Sequence, residues 1–489
     1  MVRLRAKEGF DPMFAFLSAP DSSDRGAPEV RIAEPKPADL IRTTELGSGI
    51  SVEIDLADPE RWHSVTVQRW EQADLDLLEL LIGPDAVRRL GELRSSARSS
   101  LGAEVSLDVV PTGPWQRIAV IDALDWWLQL PLEQALLDAE RAVAQVRAAA
   151  SLRPGPLRQQ LTEQALVLAR GSAAGFAGYL TELADSASSL PRALFSGLSR
   201  LAAGYAILGR EVVDGPDNDL DLVAAAWSRL QAAVRVVPTF KPQDHSVSYR
   251  LSGEPSAGGA VVSSSVDPRQ VRARIVDTDV LTKEVRMMRS DEGSAIRVMV
   301  PAFGPSLPAA VISDRLMVRL VDSRSGTAYE PVLLTLRSGR AAESLGATMP
   351  VFTELVPLRG APLEDLRADV FEADNEAAPA RTDTDSGLLR QRRAQFVLGE
   401  WRRAAAEARL SRGVKVRNRR LARLVDVLSQ TTADADQPVF LGGPSPAEIV
   451  RLIDTADSPA ANAIHLWFAS SQGAGEPLVA ELAAVYAGR

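Results

Sequence analysis

Leu316-Met317-Val318-Arg319-Leu320-Val321 runs into Asp322-Ser323-Arg324-Ser325-Gly326-Thr327, and Val332-Leu333-Leu334-Thr335-Leu336 follows. Two short apolar and β-branched runs flank a hexapeptide of turn formers. Gly326, fifth in that hexapeptide, suits a backbone position of positive φ, where a Cβ would clash. The stretch reads as a hairpin. Comparable runs at Val271–Val276, Ile296–Val300 and Leu366–Phe371 stand close by, separated by turn chemistry. Short strands so spaced between Val261 and Phe371 predict a β-sandwich over residues 238–375. No disulfide pins it, because the chain has no cysteine.

Upstream the pattern changes twice. Residues 1–48 carry Pro20, Pro28, Pro35 and Pro37 among scattered charges, which predicts an extended arm. Over 49–111 a small α+β region is expected. There Ile50, Val52, Ile54 and Leu56 alternate with polar residues as in a half-buried strand. Asp58-Pro59 marks a turn, and Val65 and Val67 continue as the partner strand. Val87, Leu90, Leu93 and Ala97 share a helical face after Gly83-Pro84, and Val105, Leu107 and Val109 suggest one more strand. Residues 112–237 read as a helical bundle. Leu132, Leu136, Ala139, Val143 and Val146 step by four and three behind Pro131, and further helices are expected near 157–170, 191–209 and 219–235.

Downstream, residues 376–387 form an acidic linker containing Pro379. Residues 388–489 read as a helical domain whose first helices are basic. Leu389, Phe396, Val397, Trp401, Ala404 and Ala408 line one side of a helix, and Leu421, Leu424, Val425 and Leu428 line the next. Ser445-Pro446-Ala447-Glu448 is a capping box with Pro at the first helical position. Short helices are expected at Ile464–Phe468 and Leu478–Tyr486. The fold class is multidomain α+β: a mixed and helical N-terminal region, a central β-sandwich and a helical C-terminal region. About three domains is the natural number for 489 residues.

Composition narrows function by exclusion. With 46% hydrophobic and 24% charged residues the chain has the balance of a globular protein, and a net charge of -9 disfavours general binding to phosphate backbones. No apolar run reaches the ~18 residues of a membrane span or forms a signal-peptide core, so a cytoplasmic protein without a membrane partner is expected. Lysine occurs only at Lys7, Lys36, Lys241, Lys283 and Lys415, a bias typical of a high-GC coding sequence. No phosphate-binding glycine loop and no zinc motif is present. Gly171, Gly175 and Gly178 miss dinucleotide-loop spacing and suit close helix packing instead.

Histidine is the usual general base, and only His63, His245 and His465 are available, in three different regions. Asp244-His245-Ser246 contains triad residue types, but adjacent side chains diverge and give no orienting geometry. Asp217–Asp221 and Asp383–Gly387 begin like calcium loops yet lack the twelfth-position Glu; helix caps and turns explain them. The expectation is no catalytic residue, no cofactor and no metal. Two features point to partners instead. One is the arginine run of 390–423, including Arg392, Arg402, Arg403, Arg409, Arg417, Arg419 and Arg420, opposed only by Glu400 and Glu407. It suits an acidic protein surface or, secondarily, nucleic acid; the plainer alternative is a solvated face pairing with the chain's own carboxylates. The other is Trp126-Trp127, which is either core or an interface anchor.

A sandwich segment with a turn like Asp322–Thr327, followed by an Arg/Ala/Trp helix like Arg390–Arg409, resembles uncharacterised accessory proteins of actinobacterial multi-gene conflict loci. The resemblance covers roughly residues 296–410. It implies a defence-related partner role beside an NTPase, protease or nuclease from the same locus, and it assigns no functional residue. A non-enzymatic scaffold or accessory subunit is the expected function. The alternatives are a carboxylate-dependent hydrolase, whose acids meet only in the fold, and a nucleic-acid-associated protein using 390–423.

Overall fold

The computed structural model describes residues 41–55, 62–67, 73–96, 113–128, 132–211, 218–238, 285–290, 294–303, 316–343, 350–358, 362–373 and 476–487. It also describes short pieces at 2–3, 14–17, 30–33, 261–264, 266–267, 270–276, 345, 347, 399, 402–403, 406–407 and 409–410. The chain is α+β, with helices and antiparallel sheets.

Strands β1 (Val2–Arg3), β2 (Phe14–Leu17), β3 (Val30–Ala33), β4 (Ile41–Gly47), β5 (Ile50–Asp55) and β6 (Trp62–Val67) form one antiparallel sheet in the order β1-β2-β3-β6-β5-β4. The extended arm expected over 1–48 is therefore corrected: four strands of this sheet come from it. The expected β5–β6 hairpin is present, with Val52 opposite Val65. Gly47, Ser48 and Gly49 all take positive φ and turn β4 into β5.

Helix α1 (Leu75–Ile82) is capped by Asp74, whose carboxylate accepts the Leu77 N–H at 3.0 Å. Helix α2 (Pro84–Ser96) starts on its proline. Helix α3 (Gly113–Trp127) was not anticipated, because it is apolar nearly all round and shows no amphipathic stripe. Such a helix belongs in an interior, and α3 packs between β4–β5 and α4 (Gln134–Ser151). Helix α5 (Pro156–Ser186) runs far beyond the expected 157–170. It passes straight through its glycines; a Cβ on Gly175 would stand 2.7 Å from the Ala135 Cβ, so small residues there let α5 and α4 approach. Helices α6 (Arg192–Glu211) and α7 (Asn218–Ala233) complete the bundle, and the parallel strands β7 (Ser189–Pro191) and β8 (Arg235–Val237) tie their ends together.

The next region holds two antiparallel sheets. One contains β9 (Val261–Ser264), β10 (Val285–Arg289), β11 (Ala295–Pro301), β14 (Thr335–Arg337) and β15 (Val351–Pro357), in the order β14-β15-β11-β10-β9. The other contains β12 (Leu316–Asp322), β13 (Val332–Leu333) and β16 (Leu366–Glu372), in the order β13-β12-β16. Val285, Met287, Ile296, Val298, Phe352 and Val356 from the first share one core with Leu316, Val318, Leu320, Leu366, Ala368 and Val370 from the second. The opening hairpin turn forms: Gly326 has φ 70°, its N–H bonds the Asp322 carbonyl at 2.8 Å, and the Asp322 carboxylate accepts from the Arg324 N–H and the Ser325 hydroxyl. These donors hold the Asp322 carboxyl below its usual range. Two strand expectations change. Val332–Leu336 splits at Leu334, where the chain crosses from one sheet to the other. Val271–Val276 is a turn, bridged to the sheet only at Val276–Ala302.

Residues between 399 and 410 contribute helical positions, and α8 (Val479–Ala487) is the helix expected at Leu478–Tyr486. Ala406, Leu410, Leu478, Val479, Leu482 and Tyr486 belong to the same hydrophobic core as α1–α7 and β4–β6. The regions 49–111, 112–237 and 388–489, separate in the sequence reading, thus share one core among their described residues. An amphipathic stripe must be covered by something, and here each region covers another. The linker at 376–387, the expected strand at 105–109 and the expected helices from 421 to 468 lie outside the described residues.

Candidate interaction site

Helix α3 carries charge on two sides, and each side builds a junction. Asp122, Asp125 and Trp126 lie at i, i+3 and i+4 and so share a face. Thr44 on β4 donates to Asp122 Oδ2 at 2.8 Å, and Arg42 Nε approaches the same oxygen at 3.3 Å. Arg141 on α4 reaches Asp122 at 3.4 Å and Asp125 at 3.9 Å. From the two-sheet region Arg274 pairs with Asp125, and the Ala273 N–H bonds the Trp126 carbonyl at 2.8 Å. The Arg42 guanidinium stands 4.2 Å from the Trp126 ring centre and that of Arg272 5.7 Å, so the indole meets two cations. Arg272 is in turn held by Glu372 on β16, at 3.3 Å through its side chain and 2.7 Å through its N–H. This seam joins the helical region to the two sheets.

Burial shifts two of its groups. The Asp138 carboxyl on α4 is raised above its ordinary range chiefly by desolvation, against the Gln134 amide that donates to it at 2.9 Å and the nearby Arg141. Arg274 is lowered by desolvation and supported by Asp125 and Asp138. Its backbone holds φ 72°, a conformation costly for a residue with a Cβ. Asp122 and Asp125 answer arginines, so the arrangement clamps two regions together.

The other side of α3 builds a clasp around the C-terminal helix. Arg402 grips Glu481 with Nε–Oε1 at 2.7 Å and Nη2–Oε2 at 2.5 Å. Glu481 is fully buried, and its Oε2 also accepts the Leu478 N–H at 2.6 Å, capping α8. Arg117 pairs with Glu140 and donates to the carbonyl of Glu476 at 2.6 Å; Glu140 accepts the Val479 N–H at 2.8 Å. Arg409 and Arg200 meet the Glu476 carboxylate at 3.1 and 3.6 Å, and the Tyr486 hydroxyl donates to the Ser189 carbonyl.

The partner-facing residues named from sequence scatter in this geometry. Arg402 is buried in the clasp against Glu481, and Trp126 and Trp127 are buried, 7% and 3% exposed, which matches the core alternative for the tryptophans and the own-carboxylate alternative for Arg402. Arg403 is half-buried beside Glu407 at 3.9 Å, while Arg409 is exposed and paired. Arg392, Arg417, Arg419 and Arg420 lie outside the described residues, as do His245 and His465; His63 occupies a position on β6. Asp219 and Asp221 stand in the first turn of α7, where acids favour a helix start. Among the described residues no group of three or more His, Asp or Glu side chains is placed to hold a metal ion, and no helix is long and apolar enough to cross a membrane.

Sequence reasoning passed over Glu140, Glu481, Asp122, Asp138 and Arg274. A signal existed for the first two. Each interrupts an apolar helical stripe, and a charge at a core position is stable only with a partner. No family model, curated protein or solved structure matches the chain.

Proposed function

We propose that this chain is a non-enzymatic scaffold or accessory subunit of a bacterial multiprotein assembly. On this reading it works in the cytoplasm, in a conflict or defence system, beside an NTPase, protease or nuclease from the same locus. Its central region is a β-sandwich made of the two facing sheets, and it presents surfaces held in fixed relation. One observation carries the reading: Arg274 on the two-sheet region pairs with Asp125 of the helical region 149 positions away, while Arg117 and Glu140 of the helical region bond the Glu476 carbonyl and the Val479 N–H at the C-terminal helix, so charged contacts tie the three into one frame. Interior charge is used for holding, which a scaffold needs. The resemblance over residues 296–410 supports the setting.

Purification of the full chain from its native host, with mass analysis of the eluted species, tests this. A stoichiometric complex with another protein is expected. A monomer that turns over a small substrate overturns it.

A carboxylate-dependent hydrolase is the second reading, favoured by one observation: the raised Asp138 carboxyl beside Asp125. Under that reading Asp138→Asn abolishes turnover while the fold survives. Under the scaffold reading partner recovery is unchanged.

A further inference from the structure

Charge on the two facing sheets is handled differently. On the three-stranded sheet Arg319 stands opposite Asp369 and bonds it at 2.8–2.9 Å. On the five-stranded sheet the outward positions are set by register. Arg286 stands opposite Met299, Arg297 between Met288 and Leu355, and Arg337 opposite Val351. Met287, Val298, Phe352 and Val356 occupy the inward positions. None of Arg286, Arg297 and Arg337 meets a carboxylate among the described residues, although the chain has 64 acidic residues and a net charge of -9. Glu354 binds Thr335 at 3.0 Å, and Glu343 pairs with none of the three.

The outward face also carries apolar surface. Met299 and Val351 are buried in one cluster with Ala342, against which Met288, Leu345 and Ala347 pack. Leu355 remains 42% exposed. Met288 stays half-buried and Leu355 exposed, and around them stand three guanidinium groups that meet no carboxylate among the described residues. Opposite-charge cross-strand pairs stabilise a sheet, and Arg319–Asp369 uses that effect; the other sheet forgoes it three times. Arginine and methionine are enriched where proteins bury each other, and an arginine rim selects carboxylates. Single-stranded nucleic acid is held mainly by stacking on aromatic rings, and the outward positions named here hold none.

We propose that the outer face of the five-stranded sheet docks an acidic, apolar-dotted segment of a protein partner, with Leu355 and Met288 taking its apolar side chains and Arg286, Arg297 and Arg337 its carboxylates. The proposal deepens the scaffold reading and rests on it.

The test uses the full chain and a fluorescent peptide of alternating Glu and Leu, with a Lys-for-Glu peptide and a deoxythymidine oligonucleotide as competitors. Binding of the acidic peptide is expected to weaken about ten-fold in the R286Q/R297Q/R337Q variant and again in Leu355→Ser. It should also weaken between about 0.05 M and about 0.5 M salt. Equal binding by wild type and triple variant, or no binding by either, overturns the proposal. So does displacement of the acidic peptide by the oligonucleotide, or a dimer of the chain that the triple variant abolishes. Native-host purification of the triple variant separates the two ideas. Loss of the co-purifying protein supports this face. Its retention removes this face and leaves the scaffold standing, whereas a wild-type chain that brings no partner removes the scaffold itself.

Discussion

The seam and the clasp are both built from arginine and carboxylate, yet they sit in different surroundings. In the seam the side chains of Arg42, Asp122 and Arg141 keep 34%, 25% and 24% of their exposure, and Arg141 serves two aspartates. In the clasp Glu481 keeps none and Arg402 keeps 7%, and the pair is bidentate. A charge that still touches water can lose one partner and be rehydrated. A charge sealed in the core cannot. The seam keeps most of its charges in contact with water, Arg274 at 10% exposure being its buried member, whereas the clasp centres on a pair sealed in the core, Arg402 with Glu481.

The largest effect follows from breaking the clasp on one side only. Glu481→Gln removes the carboxylate charge that answers the buried Arg402, and urea unfolding should show a loss of about 3–5 kcal/mol. Replacing both charges, R402M/E481Q, should recover much of that loss, since no charge is then buried and Gln can still accept the Leu478 N–H. If the double variant is as weak as the single one, the clasp is held by packing and the contrast with the seam disappears.

Packing can be tested next at the same place. A Cβ on Gly197 would lie 2.9 Å from a Val479 methyl. Gly197→Ala should cost about 1–3 kcal/mol by wedging α8 from α6, with faster hydrogen exchange along α8. Unchanged exchange there would mean that the helix shifts to accommodate the methyl.

Arg274→Met probes the seam and should cost less, about 1.5 kcal/mol, the lower end for hydrogen bonds to charged groups. The diagnostic readout is the Ala273 amide, bonded to the Trp126 carbonyl, which should lose protection. Retained protection would show that Arg272, beside Trp126, holds the seam without Arg274.

The smallest effect is the one that depends on pH. The folded chain holds the Asp138 proton more tightly than the unfolded chain does, because burial raises this carboxyl above its ordinary 3.8. Stability contributed at this site is therefore present at low pH and falls as pH rises from the unfolded value through the raised folded value. Asp138→Asn should flatten that slope and be slightly more stable than wild type above the window, as unfolding midpoints at a series of pH values would show. A steeper slope in the variant would place the burden on another acid.

The α4 helix, the β5–β6 hairpin, the Asp322–Thr327 turn, the strands at Ile296 and Leu316, and α8 were all legible from residue order. Each depends on neighbours within a few positions: an apolar step of three or four, an alternation of two, a glycine where φ must be positive. Where that local signal is blurred, the reading fails. Helix α3 buries residues on most of its faces and shows no single apolar stripe, the N-terminal segment is dotted with prolines, and Val271–Val276 looks like a strand yet turns at Arg274.

The junctions were not legible, for a different reason. Nothing local tells Arg402 to seek Glu481 79 positions away, or Arg274 to seek Asp125 149 positions back. With 55 basic and 64 acidic residues, charge carries no address. Hydrogen-bonded turns and periodic stripes are chosen by short-range geometry, so the chain spells them out. Long-range pairing is chosen by which core closes over which charge, and that choice exists only once the helices and sheets have packed.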